Sequence, residues 1–164
     1  MSTTVFVYTM NRVGSVGAWS RYVFPFAVDA FAQLGDDIYI RSGDDVLVVD
    51  ENEVTDYAGD PREQVFTGLI QWPWLDFGAP GVTKQLVGFD IVGTGATSVQ
   101  IGYDQSAKGT FTEPFLVPAD SVPGMMIPLP LMAPSMSVKL TYAGGYKWQF
   151  NALNVTVSDM RLGA

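Results

Sequence analysis

Carboxylates and aromatic rings are the side chains whose types and spacing could do chemistry in this chain. Among its 164 residues there is no histidine and no cysteine. The absence of His removes the commonest general base and the commonest metal ligand. The absence of Cys removes disulfides, thiolate catalysis and Cys-type zinc or iron–sulfur sites. Ser-His-Asp triads and zinc hydrolases are therefore excluded. Carboxylate chemistry, Lys chemistry or no chemistry remains.

A glycosidase needs two carboxylates across a cleft, one with a raised pKa. Asp76, Asp90, Asp104 and Glu113 are the candidates. Asp76 lies in Leu75-Asp-Phe-Gly-Ala-Pro, a turn composition, and Asp104 ends an apolar run beside Gln105-Ser106. Both read as turn residues that hydrogen-bond local backbone. No pair stands out, and no enzymatic activity is expected. The acidic pairs Asp36-Asp37 and Asp44-Asp45 lack the Asp-x-Asp-x-Asp-Gly pattern of a calcium loop. They read as solvated hairpin ends that guard sheet edges, so neither metal nor cofactor is expected. Gly93-Thr-Gly95-Ala begins like a dinucleotide fingerprint, but a strand pattern follows it where a helix is required. It reads as a hairpin turn. Trp72, Trp74 and Trp148 could stack on sugar rings. Trp72 and Trp74 alternate along one strand and so share one face, which a core or a subunit interface more often covers.

The elements that must position these residues are strands. Apart from Val28–Leu34, a short stretch with a possible helical period, the pattern is β-branched and aromatic runs broken by Gly, Pro and Asp. Val5–Thr9, Trp19–Phe26, Asp37–Arg41 and Asp45–Asp50 predict a small antiparallel sheet of roughly four strands, the size of one β-propeller blade. Ser42-Gly43-Asp44 supplies a hairpin turn between the last two. Asp56–Glu63, polar with Gly59 and Pro61, reads as a boundary. Beyond it, Val65–Trp74, Thr83–Val92, Ser98–Tyr103, Thr110–Val117, Ser137–Tyr142, Tyr146–Phe150 and Leu153–Val157 predict a sandwich or jelly roll with Thr83–Val92 central. Ala143-Gly-Gly145 is a second expected hairpin turn. The prolines from Pro118 to Pro134 predict an extended apolar arm outside the ladders, packed on its own sandwich or on a neighbouring subunit. The expected architecture is all-β, with a blade-like sheet over 1–60 and a jelly-roll-like β-sandwich over 61–164.

Apolar residues make up 48% of the chain, enough for a real core. No apolar run approaches the ~20 residues that cross a bilayer. Met1-Ser-Thr-Thr has neither the basic nor the apolar region of a signal peptide, so no membrane anchor or export is expected. Residues 1–60 carry ten acids against three arginines, a net −7; residues 61–164 carry seven acids against six bases, a net −1. An acidic surface repels phosphate and speaks against tight nucleic-acid binding.

Several phrases together resemble a known family. Ala18-Trp-Ser-Arg-Tyr-Val-Phe-Pro-Phe26 and Gly35-Asp-Asp-Ile-Tyr-Ile-Arg-Ser-Gly43-Asp-Asp-Val-Leu-Val-Val-Asp50 are similar to the closing blade of the propeller-containing tail nozzle proteins of short-tailed phages. That family includes the tail tubular proteins and the hub proteins called packaged-DNA stabilisation proteins. Gln71-Trp-Pro-Trp-Leu-Asp-Phe-Gly-Ala-Pro-Gly-Val-Thr-Lys-Gln-Leu-Val-Gly-Phe89 looks like the segment that follows, where a Lys-led strand opens a β-sandwich. The resemblance spans most of residues 18–164 and carries no catalytic residue. It implies a structural subunit of the virion tail, assembled in the host cytoplasm into a homo-oligomeric ring, six-fold being favoured. Such a ring contacts other tail proteins and continues the channel through which DNA passes. In that setting Asp36, Asp37, Asp44 and Asp45 would face the channel and repel the duplex. Family members are several times longer than this chain and hold a whole propeller, which one blade cannot close. The competing expectation is a glycan-binding β-sandwich for host attachment, with Trp72, Trp74 and Trp148 as stacking rings.

Overall fold

The computed structural model describes residues 2–10, 17–50, 52–118 and 123–159. The described residues form strands and turns without a helix, and the fold is all-β. The chain divides into two compact units, Met1–Glu51 and Asn52–Ala164.

The first unit holds two separate sheets where one of about four strands is expected. β1 (Thr3–Met10) and β2 (Gly17–Phe24) form an antiparallel pair, with Tyr8 opposite Trp19 and Val5 opposite Tyr22. β3 (Ala30–Leu34), β4 (Asp37–Ser42) and β5 (Asp45–Val49) form a meander in that order. The helical period at Val28–Leu34 gives way to strand β3, in which Phe31 pairs with Ile40. Five residues are too few for periodicity to separate the two states, and the ladder offered by β4 decides. The expected β4–β5 hairpin is present: Ser42 faces Asp45, and Gly43 takes a φ of 59°. That left-handed conformation is natural for glycine.

The second unit begins with β6 (Thr55–Asp56) and β7 (Gln64–Val65), paired across a cross-tied turn. Arg62 donates to both oxygens of Asp60 and lies 4.2 Å above the Tyr57 ring. Glu63 accepts from the Thr55 hydroxyl at 2.8 Å and the Gly59 N–H at 3.1 Å. The segment that reads as a boundary is thus an ordered part of the second unit.

The rest is a two-layer sandwich. β8 (Gly68–Gln71), β10 (Thr97–Gly102), β11 (Phe115–Val117) and β13 (Ser137–Tyr142) form one sheet in the order β11-β10-β13-β8. β9 (Lys84–Thr94), β12 (Ile127–Ala133) and β14 (Gln149–Asp159) form the other, with β9 central. Leu86, Phe89 and Ile91 of β9 meet Val99 and Ile101 of β10 and Val138 and Leu140 of β13 in a shared core. Burying each such side chain stabilises by roughly 1.5–3 kcal/mol.

Three expectations are corrected here. Gly93–Ala96 and Ala143–Gly145 are not hairpin turns, because the strands flanking each lie in different sheets. They carry the chain between layers, and turn composition is the same for either task. The proline-rich arm is partly a strand. In β12 the apolar residues Leu129 and Ala133 point inward while Pro128 and Pro130 point out, and β12 lies at the sheet edge, where a missing N–H does no damage. The ladder with β9 shifts register between Pro128 and Leu131. Finally, Tyr146–Phe150 and Leu153–Val157 merge into the single β14, whose register shift between Phe150 and Ala152 replaces the expected break.

Close approach explains Gly88 in β9. A Cβ there would come within 2.5 Å of the Ile127 carbonyl oxygen, so the edge strand β12 can lie at this distance only against glycine.

Candidate functional site

Three places could serve function: the faces of the first unit, the aromatic cluster of the sandwich and the loops at one sandwich end.

The first unit has one buried apolar side chain among its described residues, Ile40. One face of the β1–β2 pair presents Phe6, Tyr8, Trp19 and Val23, with Trp19 70% exposed. The β3–β5 sheet is apolar on both sides. Phe31, Ile38 and Val49 are exposed on the Ile40 face; Leu34 (72%), Val46 (70%) and Val48 are exposed on the other. A sheet with one face in water alternates apolar and polar residues; one buried on both faces reads as a continuous apolar run. Val46-Leu-Val-Val49 is such a run. Acids close both ends of the sheet. Asp36 and Asp37 lie at the β3–β4 turn, and Asp44 and Asp45 at the β4–β5 turn, separated by the length of β4. The four acids form two pairs, not one cluster.

Trp72, Trp74 and Trp148 belong to the sandwich, where Trp72 and Trp148 pack on other rings. Trp148 stacks on Tyr142 at 5.4 Å and on Phe150 at 6.5 Å, and its indole N–H donates to Thr97 Oγ1 at 2.8 Å. Trp72 meets the Phe150 ring edge-on at 5.5 Å and packs on the core. Trp74 is half-buried beside Gly102.

At one sandwich end the loops before β9, after β10 and between β12 and β13 surround a depression of about 670 Å³. Asp76 and Asp104 both line it. Asp90 and Glu113 do not: Asp90 is buried in β9, where its Oδ2 accepts the Gly124 N–H at 2.8 Å, and Glu113 is exposed before β11. As the turn compositions require, Asp76 Oδ1 accepts the Gly78 N–H at 3.0 Å. Asp104 Oδ1 accepts the Ser106 hydroxyl at 2.6 Å and the Ser106 N–H at 2.9 Å. The Ser106 hydroxyl first, then its N–H, hold the Asp104 carboxyl below the ordinary range. A general acid needs the opposite shift. Under the depression lies Lys84, fully buried, whose ammonium donates to the carbonyls of Ala79, Val82 and Pro134. Sequence reasoning passed over this lysine because only the fold turns the start of β9 inward. Among the described residues no group of three or more acids is placed to hold a metal ion.

The carboxyls give a pH prediction. Asp60 is held down at about 2, first by the side-chain bond from Arg62, and Glu63 is lowered by the Thr55 hydroxyl. A depressed folded pKa contributes stability above the unfolded value, and the contribution is lost as pH falls through the folded one. Asp56 is raised by burial, a penalty on its carboxylate that acid relieves. Carbon-detected carboxyl titration should therefore show Asp60 ionised well below its ordinary 3.8. The turn between β6 and β7 should loosen only as pH falls through that lower range. An ordinary Asp60 titration would remove the Arg62 pairing from the account.

In comparisons with known proteins, the sequence matches no family model and no curated protein.

Proposed function

We propose that this protein is a structural, non-enzymatic subunit of a short-tailed phage tail, of the nozzle or hub type. In this reading it forms or supports a ring through which DNA leaves the capsid. The observation that carries the assembly role is the β3–β5 sheet with two exposed apolar faces. A sheet of that composition is an interior layer whose neighbours come from other subunits. The resemblance of residues 18–50 and 71–89 to tail nozzle proteins supplies the kind of assembly. A closed ring satisfies every face with one repeated contact, and a six-fold homo-oligomer that contacts other tail proteins is the favoured form. The virion tail is the corresponding location.

Within that ring the acids have a physical task. A wall that guides a polyanion without holding it should repel phosphate, since each Lys or Arg contact adds salt-dependent affinity. Repulsion acts over about one Debye length, ~8 Å at physiological salt. If β4 runs radially, only one of the pairs Asp36-Asp37 and Asp44-Asp45 can reach the lumen; if it runs along the wall, both can. Electron microscopy of the purified protein tests the proposal. Closed rings with the first unit at the subunit contacts are expected, and dispersed monomers would defeat it. A reconstruction in which the lumen meets neither acidic pair would end the role given to those residues.

A further inference from the structure

The loop depression at the sandwich end is independent of the assembly faces, and its chemistry is specific. Its walls are fixed before any ligand arrives. Lys84 ties the loop before β9 to the β12–β13 turn through the carbonyls of Ala79, Val82 and Pro134. Leu75 and Met136 exchange two backbone bonds of 2.8 and 3.0 Å between the same segments. The Ser135 hydroxyl, itself buried, donates to Gln105 Oε1 at 3.3 Å and brings in the third loop. Walls held this way spare a ligand the cost of ordering them.

The functional groups facing this space select a ligand class. Asp76 and Asp104 each use Oδ1 for their own turn, and Oδ2 of each accepts no hydrogen bond from the described residues. Gln105 lines the same space, and with its oxygen accepting from Ser135 its amide N–H pair is left to donate. Pro80, Pro134 and the partly exposed ring of Tyr103 supply apolar wall. Lys84, which ties the walls together, has all three protons engaged and no exposure. Anions are disfavoured by two carboxylates with no free cation among the lining residues. A ligand must bring several hydrogen-bond donors, one acceptor for Gln105 and a C–H face for the apolar wall, and a neutral polyol ring carries all three.

We propose that this depression is a saccharide subsite that takes one neutral pyranose ring. Paired hydroxyls donate to Asp76 and Asp104, a ring or hydroxyl oxygen accepts from Gln105, and the apolar ring face lies against Tyr103. The volume of about 670 Å³ lies in the range of small-ligand sites and leaves room for such a ring. Neither the prolines nor the tyrosine ring would serve a divalent cation.

The test is an amide-detected NMR titration of the full chain with glucose, galactose, mannose and N-acetylglucosamine, each alone, and with calcium chloride alone. Saturable shifts in the millimolar range are expected for at least one sugar, confined to residues 76–81, 103–107 and 134–136. Asp104→Asn, which keeps the turn acceptor, should weaken that sugar roughly tenfold, the scale of one hydrogen bond involving a charge, and Gln105→Ala, at an exposed position, roughly three- to tenfold, the scale of a neutral one. Three results overturn the proposal: no shift with any sugar at tens of millimolar, shifts with calcium alone, or sugar shifts that survive both substitutions unchanged.

Discussion

Lys84→Met is expected to lower the unfolding midpoint of the sandwich by about 10 °C, the effect of a loss near 3 kcal/mol in a domain of this size. Lys84 is fully buried, and its ammonium is the donor for three carbonyls on two loops. Methionine keeps most of the apolar stem and returns the desolvation cost of the ammonium. Against that, three charge-assisted hydrogen bonds of roughly 1.5–3 kcal/mol each disappear, and three carbonyls lose their donor. The second effect outweighs the first because those carbonyls converge on one point that no other described side chain supplies. Calorimetry of the variant measures the shift. A midpoint within a degree or two of the parent would mean that water replaces the ammonium without cost, and the lysine would lose its structural role.

The second large effect should appear in assembly, not in folding. Leu34→Lys with Val46→Lys places two charges on one face of the β3–β5 sheet; Ile38→Lys with Val49→Lys does the same on the other. All four side chains are already exposed in the single chain, so circular dichroism should barely change. If each is covered in a ring, losing two of them removes roughly 3–6 kcal/mol per contact, a weakening of a hundredfold or more. If the proposed ring forms, either pair should suffice to disperse it, because in that arrangement both faces have a neighbour. Sedimentation velocity separates the outcomes. Parent-sized particles from both variants would show that neither face is a contact.

Much of the fold could be read from residue order. The alternation in Trp19–Phe26, the hairpin chemistry at Ser42–Asp44 and the apolar stretch of β9 each found their element, because period and turn composition are local signals. The misreadings share a cause. The turns at Gly93 and Ala143 have hairpin composition, and only the two-layer packing reveals that they cross between sheets. Proline at 128 and 130 argued against a ladder, yet at an edge strand the outward positions tolerate it. For the sites, Asp76 and Asp104 were correctly read as turn residues one at a time. That they share one depression depends on three loops far apart in the chain. The role of Lys84 was invisible for the same reason.

The layer-crossing route of the sandwich also sets how it must fold. β8 finds its partner β13 some seventy residues later, Gly68 against Tyr142, and β9 waits for β14, Lys84 against Asp159. Between β8 and β14 only β10 and β11 are neighbours both in sequence and in a ladder. Few local contacts are available to nucleate the rest, and closing long loops must precede the gain from pairing. Topologies of this kind fold in milliseconds to seconds, not microseconds. Newly made chains would therefore pass through a long interval with β9 open to other chains, and Val46-Leu-Val-Val49 lies in β5, an edge strand that the formed meander itself leaves open to pairing. The acids that bracket Val46–Val49, Asp44, Asp45 and Asp50, stand where charges hinder intermolecular β-pairing. They would protect the chain during synthesis whatever they face once it is folded.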